Sequence, residues 1–267
     1  MIKLMSPKKI KDFRKDTELY SYIGKKFVKL EEGEVLEEVF DKPTLMTLYR
    51  LMNKGVIEHL FGVVKSGKEA KIYRGITPNG EELAVKIYLT VSAEFRRGML
   101  PYIEGDIRFS HVKRDTRSLI YAWAVKEFRN LKKAWEIGVR VPKPYAVENN
   151  VLVMEFIGKE GIPAPLLKDV EPSNPQKIYR KLLDYIKTLY RDGELVHGDL
   201  SEYNIMVLDD EPVIFDMSQA VLLSHPMADQ LLKRDILNLN RFFKKLGVKT
   251  KPENEIYGWI VENESKF

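Results

Sequence analysis

Apolar positions recur along this chain at two periods. Leu45, Leu48, Tyr49, Leu51 and Met52 return at helical spacing. Pro43 suits the first turn of that helix, and Gly55 offers a stop. Residues 70–76 read as a strand, Pro78-Asn79-Gly80 as a turn, and residues 83–88 as a second strand. From Ser118 a helix is expected, with Leu119, Ala122, Trp123, Phe128, Leu131 and Trp135 on one broad face and Gly138 beyond its end. Val151 to Ile157 reads as a buried strand running into Gly158. A further helix is expected from about Gln176 to Tyr190. An apolar pair, Leu195-Val196, then enters a tight turn carrying Asp199. Residues 205–208, a turn at 209–212 and a second apolar run ending in Asp216 suggest a hairpin. Its open end would bring Asn204 and Asp216 together, close to Asp199. Residues 90–117 are polar and expected to be irregular.

Composition narrows the class. The hydrophobic content of 44% over 267 residues can build a core of one large domain or two lobes. No apolar run is long enough to span a membrane, and the basic start at Met1 to Lys15 lacks the apolar stretch of a signal peptide. Cysteine is absent, which excludes a disulfide frame and thiolate metal sites. Together these features point to the cytoplasm. The net charge of +5 fits a solvated surface and permits contact with an acidic partner. Residues 1–42 hold basic clusters (Lys8, Lys9, Lys11, Arg14, Lys15; Lys25, Lys26, Lys29) and then Glu31, Glu32, Glu34, Glu37 and Glu38. This reads as a solvated extension, or as an arm on RNA or a protein.

The candidate chemistry is phosphoryl transfer. That reaction needs one carboxylate to hold the attacking oxygen and oxygen ligands to hold Mg²⁺ on a nucleotide. Asp199, followed five residues later by Asn204 and then by Asp216, matches the kinase catalytic loop and metal Asp in type and order, with His-Gly-Asp in place of His-Arg-Asp. Residues 62–69 imitate a Walker A loop until Glu69 takes the place of the Mg²⁺-binding Ser or Thr. A Walker loop also opens a helix, whereas a strand follows here. The order of strand, Gly-bearing loop, strand, turn and strand with Lys86 is instead that of a nucleotide-covering hairpin. Lys86 alternates with Val85 and Ile87 and so faces away from them, either as a phosphate ligand or as an exposed strand lysine. Glu127 lies beside the apolar stripe of its helix, either as the partner of Lys86 or as one of several solvated charges with Lys126, Arg129 and Glu136. Backbone groups at Glu155 and Ile157 would meet an adenine edge, with Met154 behind it.

The chain resembles the RIO family of atypical protein kinases, its first branch more than its winged-helix second branch. The resemblance rests on Ser66-Gly67-Lys68-Glu69-Ala70 with Ile72-Tyr73, Lys126-Glu127-Phe128-Arg129-Asn130-Leu131, Met154-Glu155-Phe156-Ile157-Gly158, Pro163-Ala164-Pro165, His197-Gly198-Asp199-Leu200-Ser201-Glu202-Tyr203-Asn204 and Asp216-Met217-Ser218-Gln219. His225-Pro226, Arg234-Asp235, Asn238 and Phe242-Phe243 extend it, over roughly residues 43–247.

The resemblance implies an α+β, two-lobed protein-kinase-like fold with a small β-rich N-lobe and a truncated helical C-lobe. It implies an extension (1–42), an N-lobe (43–154) with a flexible 90–117 loop, a hinge (155–158) and a C-lobe (159–267). ATP and Mg²⁺ are the implied cofactors, with Mn²⁺ as the alternative ion. Asp199 would be catalytic. Asn204 and Asp216 would ligate the metal. Lys86 would hold the phosphates and Glu127 would orient it. Ser66, Gly67 and Lys68 would lie over the triphosphate, and Met154, Glu155, Ile157 and Pro163 would complete the nucleotide site. The family implies autophosphorylation, with Ser110, Thr116 or Ser118 as candidates, and a phosphoaspartate at Asp216. It also implies ATPase activity and a partner in the small ribosomal subunit precursor, with no membrane or DNA partner.

Departures from ordinary protein kinases temper the substrate class. Gly198 replaces the Arg that reads a phosphorylated activation loop, Met217-Ser218 replaces Phe-Gly, and no Ala-Pro-Glu follows. Residues 217–267 are too few for the usual peptide-binding subdomain. Two other function classes therefore stand beside a protein kinase. One is a small-molecule phosphotransferase of the aminoglycoside or choline kinase type. The other is a nucleotide-dependent ribosome assembly factor with little phosphotransfer.

Overall fold

The computed structural model describes residues 21–27, 40–89 and 93–262. Most of the charged arm, including Lys8 to Lys15, Lys29 and the Glu31 to Glu38 stretch, lies outside the described residues. Residues 21–26 are helical, and Lys26 pairs with Glu58.

Helix α1 (Lys42–Asn53) begins where Asp41 accepts a hydrogen bond from Thr44 N at 3.0 Å, and it carries Pro43 in its first turn. Leu45, Leu48, Leu51 and Met52 bury its apolar stripe against one face of a sheet. The sheet is antiparallel, in the order β1 (His59–Ser66), β2 (Ala70–Ile76), β3 (Glu82–Tyr88), β5 (Val151–Glu155), β4 (Pro144–Glu148). Side chains alternate faces along β3. Val85 and Ile87 pack under α1, whereas Ala84 and Lys86 face the other side. The Gly-bearing segment differs from the expected open loop: β1 continues through Gly62 to Ser66, and the turn is confined to residues 67–69.

The segment expected to be irregular contains helix α2 (Ala93–Ile103) and a 3₁₀ turn (Ile107–Phe109). Gly98 and Pro101 break its helical pattern in sequence, but Met99, Ile103 and Phe109 converge on Leu119, Ile120 and Trp123 of the next helix. That helix, α3 (Thr116–Glu136), starts two residues before the expected Ser118, because Asp115 accepts from Ser118 N at 3.0 Å and sets the first turn. Both Lys126 and Glu127 are fully buried, so the solvated-charge reading of this stretch fails for them.

After β5 the chain makes a small hairpin of β6 (Gly158–Lys159) and β7 (Ile162–Pro163). A side chain at Gly158 would collide with the Ile162 carbonyl and the Phe156 ring, so glycine is required there. Helix α4 (Pro175–Arg191) is capped by Asn174, whose side chain accepts from Lys177 N at 2.9 Å. It packs with α5 (Ala228–Lys245) and α6 (Glu253–Val261) through Leu182, Ile186, Leu239, Phe243, Ile256 and Trp259. Each such buried side chain contributes about 1.5–3 kcal/mol before ordering costs. Short strands β8 (Leu195–Val196), β9 (Ile205–Leu208), β10 (Glu211–Ile214) and β11 (Val221–Leu222) lie on this helical part. The result is an α+β fold with a β-sheet N-terminal half and a helical C-terminal half. Among the described residues no helix is long and apolar enough to cross a membrane.

Candidate active site

Strand β8 delivers the chain into the turn His197-Gly198-Asp199. Gly198 has φ +81°, and a Cβ there would sit 3.2 Å from the Gln219 carbonyl, which explains glycine at this position. The turn is pinned from α5. Buried Asp235 accepts from Gly198 N and Leu200 N, each at 2.8 Å, and Arg234 donates to the Gly198 carbonyl. His197 is also buried. Its Nδ1 accepts from Asp199 N at 3.3 Å, so its Nε2 carries the proton and faces the Phe215 carbonyl at 3.3 Å.

The hairpin of β9 and β10 pairs Ile205 with Ile214, and Phe215 N donates to the Asn204 carbonyl at 3.0 Å. This register places Asn204 and Asp216 at its open end. Asn204 Nδ2 donates to the Asp199 carbonyl (2.8 Å) and to its carboxylate (3.1 Å), and Gln219 Nε2 approaches the same carboxylate at 3.4 Å. Asp216 adopts a left-handed φ of +60°, which is uncommon outside glycine. Its Oδ1 accepts from Ser218 Oγ at 2.8 Å and from Lys86 Nζ at 3.1 Å. Lys86 also donates to Glu127 Oε1 at 2.9 Å, and Tyr88 donates its hydroxyl to Glu127. The exposed-lysine reading of Lys86 is therefore replaced by a buried ammonium between two carboxylates.

Burial and charge set the protonation states. Burial alone would raise the Asp216 pKa, but Lys86 and the Ser218 hydroxyl outweigh it and hold the group down at about 2. Burial would lower the Lys86 pKa, but Asp216 and Glu127 reverse the effect and keep it above the ordinary lysine value. Glu127 is raised by burial, with Lys86 opposing. Asp199 is raised by burial, against Arg234 and Asn204, which improves it as a proton acceptor.

Next to these groups lies a cavity of about 200 Å³, walled by Val64, Ile72, Ala84, Met154, Ile157, Pro163, Met206 and Phe215. Glu155 also borders it, and its carboxylate is held by Arg140 through two hydrogen bonds of 2.7 Å. The structure thus gathers Lys86, Glu127, Asp199, Asn204 and Asp216, and beside them Met154, Glu155, Ile157 and Pro163. Ser66, Gly67 and Lys68 instead sit exposed at the β1–β2 turn, closed by a Gly67 N bond to the Ala70 carbonyl at 3.0 Å.

Several contacting residues carry no individual signal in the sequence. Asp235 supports the turn from far along the chain. Lys126, lowered to about 7 by burial and by nearby Arg108, donates to the carbonyls of Ser218 and Ala220. Tyr88 and Gln219 touch Glu127 and Asp199. Membership in the family-like strings could have flagged Lys126, Gln219 and Asp235, whereas Tyr88 lies in none of them.

Among the described residues no three His, Cys, Asp or Glu side chains cluster as a metal site. Asn204 and Asp216 would supply one amide and one carboxylate oxygen, hard donors of the kind that suit Mg²⁺ or Mn²⁺ when phosphate oxygens and water complete the shell. The donor set fits a nucleotide-borne divalent ion.

Residues 71–256 match the RIO domain family model. The chain belongs to the RIO family. It is 43% identical over 263 residues to the RIO-type serine/threonine-protein kinase Rio1 of Methanocaldococcus jannaschii, covering 98% of this chain and 89% of that protein. The Haloferax volcanii protein of the same description is 39% identical over 236 residues, covering 88% of this chain and 80% of its own length. A crystal structure of the Rio2 kinase-ADP/Mg²⁺-phosphoaspartate complex from Chaetomium thermophilum superposes with a TM-score of 0.63 over 83% of this chain and 67% of that one. At 24% identity that likeness concerns the fold. The RIO chain is accordingly an atypical protein kinase, and the kinase family as a whole uses ATP with a divalent metal.

His197 makes the stability of this RIO kinase depend on pH. Burial pushes its pKa down to about 4, below the 6.5 of an exposed histidine. The unfolded chain thus binds the extra proton first, and the contribution of His197 is intact above pH 6.5 and lost as pH falls toward 4. Asp235, raised by burial to about 7, acts in the opposite sense, so the comparison must be with a variant. Urea midpoints at pH 7 and pH 4.5 should fall further in wild type than in His197→Asn. Equal falls would remove this assignment.

Proposed function

We propose that this RIO kinase transfers the γ-phosphoryl group of ATP to serine or threonine hydroxyls in a Mg²⁺-dependent reaction, with Mn²⁺ as a substitute ion. The observation that carries the reading is the continuous polar chain from Glu127 through Lys86 to Asp216, brought by the β9–β10 register beside the Asp199–Asn204 pair. In this reading the adenine enters the apolar cavity and meets the backbone of Glu155 and Ile157, with Met154 behind it and Pro163 at the rim. Lys86 binds the α- and β-phosphates, and Glu127 fixes its position. Ser66, Gly67 and Lys68 cover the triphosphate from the β1–β2 turn. Asn204 and Asp216 hold the divalent ion, which neutralises charge on the phosphate oxygens. Asp199 orients the attacking hydroxyl and accepts its proton as ADP leaves. Residues 43–154 then form the N-lobe, 155–158 the hinge and 159–267 the C-lobe.

The kinase also phosphorylates itself in this reading. Ser110 is the best placed of the three candidates by exposure, since Thr116 and Ser118 lie half-buried in the first turn of α3. ATP hydrolysis through an acyl phosphate on Asp216 is the second reading, and the phosphoaspartate in the solved Rio2 relative favours it. The biological setting we assign is maturation of the small ribosomal subunit in the cytoplasm, with the precursor particle as partner. Support comes from family resemblance and from the positive net charge.

Incubation with γ-labelled ATP and Mg²⁺, followed by hydroxylamine treatment and mass spectrometry, tests the reading. Label that survives hydroxylamine and maps to a hydroxyl residue is expected. Label lost to hydroxylamine and traced to Asp216 would shift the conclusion to an ATPase phosphoenzyme. Bound ATP with no label would leave a nucleotide-dependent assembly factor.

A further inference from the structure

We propose that Lys126, Asn130 and Arg108 are positioning residues that clamp the backbone of residues 217–220 and thereby set both carboxylates of the cleft, Asp216 and Asp199. The inference rests on the reading of Asp216 as the metal-binding carboxylate.

Lys126 is fully buried on α3, and its ammonium donates to the Ser218 carbonyl at 3.0 Å and to the Ala220 carbonyl. One turn along, Asn130 is also fully buried. Its Nδ2 donates to the Met217 and Ala220 carbonyls, each at 2.9 Å. Its Oδ1 accepts from Arg108 NH1 at 3.0 Å, and Arg108 is fixed in turn by buried Asp106 at 2.7 Å. Two side chains therefore meet three consecutive-region carbonyls just after Asp216, and a third residue fixes the orientation of the amide. Packing alone does not ask for this. A leucine would fill the same helix space without burying an amine that needs hydrogen-bond partners.

The clamped segment is also the source of two contacts in the cleft. Ser218 donates to Asp216 and Gln219 approaches Asp199. Asp216 itself holds a left-handed backbone, a region that side-chain-bearing residues adopt infrequently. Fixed peptide groups at 217–220 keep the chain from relaxing out of it. Residues that orient metal ligands from behind typically change metal affinity by about 10–100-fold when removed. The clamp predicts an effect of that size on the metal without a direct effect on the adenine cavity.

The test measures binding of a non-hydrolysable ATP analogue by calorimetry, with and without Mg²⁺, for wild type, Lys126→Met, Asn130→Ala, Arg108→Gln and Asp216→Asn. The readout is the factor by which Mg²⁺ strengthens binding. Lys126→Met and Asn130→Ala are expected to keep the metal-free affinity within about twofold and to reduce the Mg²⁺ factor about 10-fold. Arg108→Gln should act in the same direction and less. Asp216→Asn is the reference: if it retains the full Mg²⁺ factor, the metal reading of Asp216 fails. If Asp216→Asn loses the factor while the folded clamp variants keep it, with only a lower melting temperature, the clamp is purely structural and the proposal is overturned. Arg108 is partly exposed, so its variant tests the clamp even where the buried substitutions fail to fold; an unchanged Mg²⁺ factor in Arg108→Gln then overturns it as well.

Discussion

Asp199→Ala is expected to slow phosphoryl transfer by about 10²–10⁴-fold and to leave ATP binding intact, the range typical of a lost general base or orienting group. The contacts explain the separation of the two effects. Asp199 does not wall the apolar cavity, and the Lys86–Glu127 pair does not touch it. Asn204 would lose its bond to the Asp199 carboxylate but keep the one to the backbone carbonyl at 2.8 Å, so the amide stays aimed into the cleft. The turn itself hangs on Asp235 through backbone N–H groups, which alanine preserves. Single-turnover rates with γ-labelled ATP, set beside a binding titration, decide the matter. Unchanged rates would remove the role assigned to Asp199.

Asp216→Ala should abolish metal-dependent transfer altogether. This change removes a carboxylate held ionised at about 2 and leaves one amide oxygen, at Asn204, as the remaining assigned ligand. It also frees the Ser218 hydroxyl and takes from Lys86 one of its two acidic partners. Lys86 keeps Glu127 at 2.9 Å, so the buried ammonium is not left uncompensated and the fold is expected to survive. Activity measured across a Mg²⁺ titration, with a thermal melt as the control for folding, checks both halves of the expectation. Full activity at ordinary Mg²⁺ would refute the metal assignment.

The parts of this molecule that could be read from the sequence are those in which short-range pattern and final environment agree. Alternation along residues 83–88 puts Lys86 opposite Val85 and Ile87, and the sheet keeps that parity because α1 covers one face only. The 205–216 hairpin follows from two apolar runs and a turn, and its register alone brings Asn204 to Asp216. What escaped the sequence depends on distant partners. Lys126 and Arg129 look alike as neighbouring charges on a helix, and carbonyls from far along the chain decide that Lys126 is buried. Glu127 is legible as a partner of Lys86, but the choice between that and a solvated charge is made only by that distant lysine. Helix α2 escaped because Gly98 and Pro101 interrupt its pattern and its apolar residues make sense only against α3. The turn confined to residues 67–69 escaped because glycines at 62 and 67 look equivalent until β1 pairs with β2 through Ser66. Asp235 escaped because nothing local distinguishes a carboxylate that will cap a turn 37 residues earlier from one facing water.

That last contact has a consequence for the life of the newly made chain. The five-stranded sheet is complete once residue 155 has been made, and it is built from neighbouring hairpins apart from the excursion through α2 and α3. The turn bearing Asp199 is made later still, and its Gly198 and Leu200 N–H groups gain their buried acceptor only when Asp235 follows and α5 docks. Contacts between neighbouring stretches of chain form faster than contacts that wait for distant ones. A nascent chain can therefore hold a finished sheet well before it holds a working turn. Truncation before Asp235 would leave the Asp199 carboxylate present and its turn without that buried anchor. The order of synthesis thus places assembly of the Asp199 turn after that of the sheet.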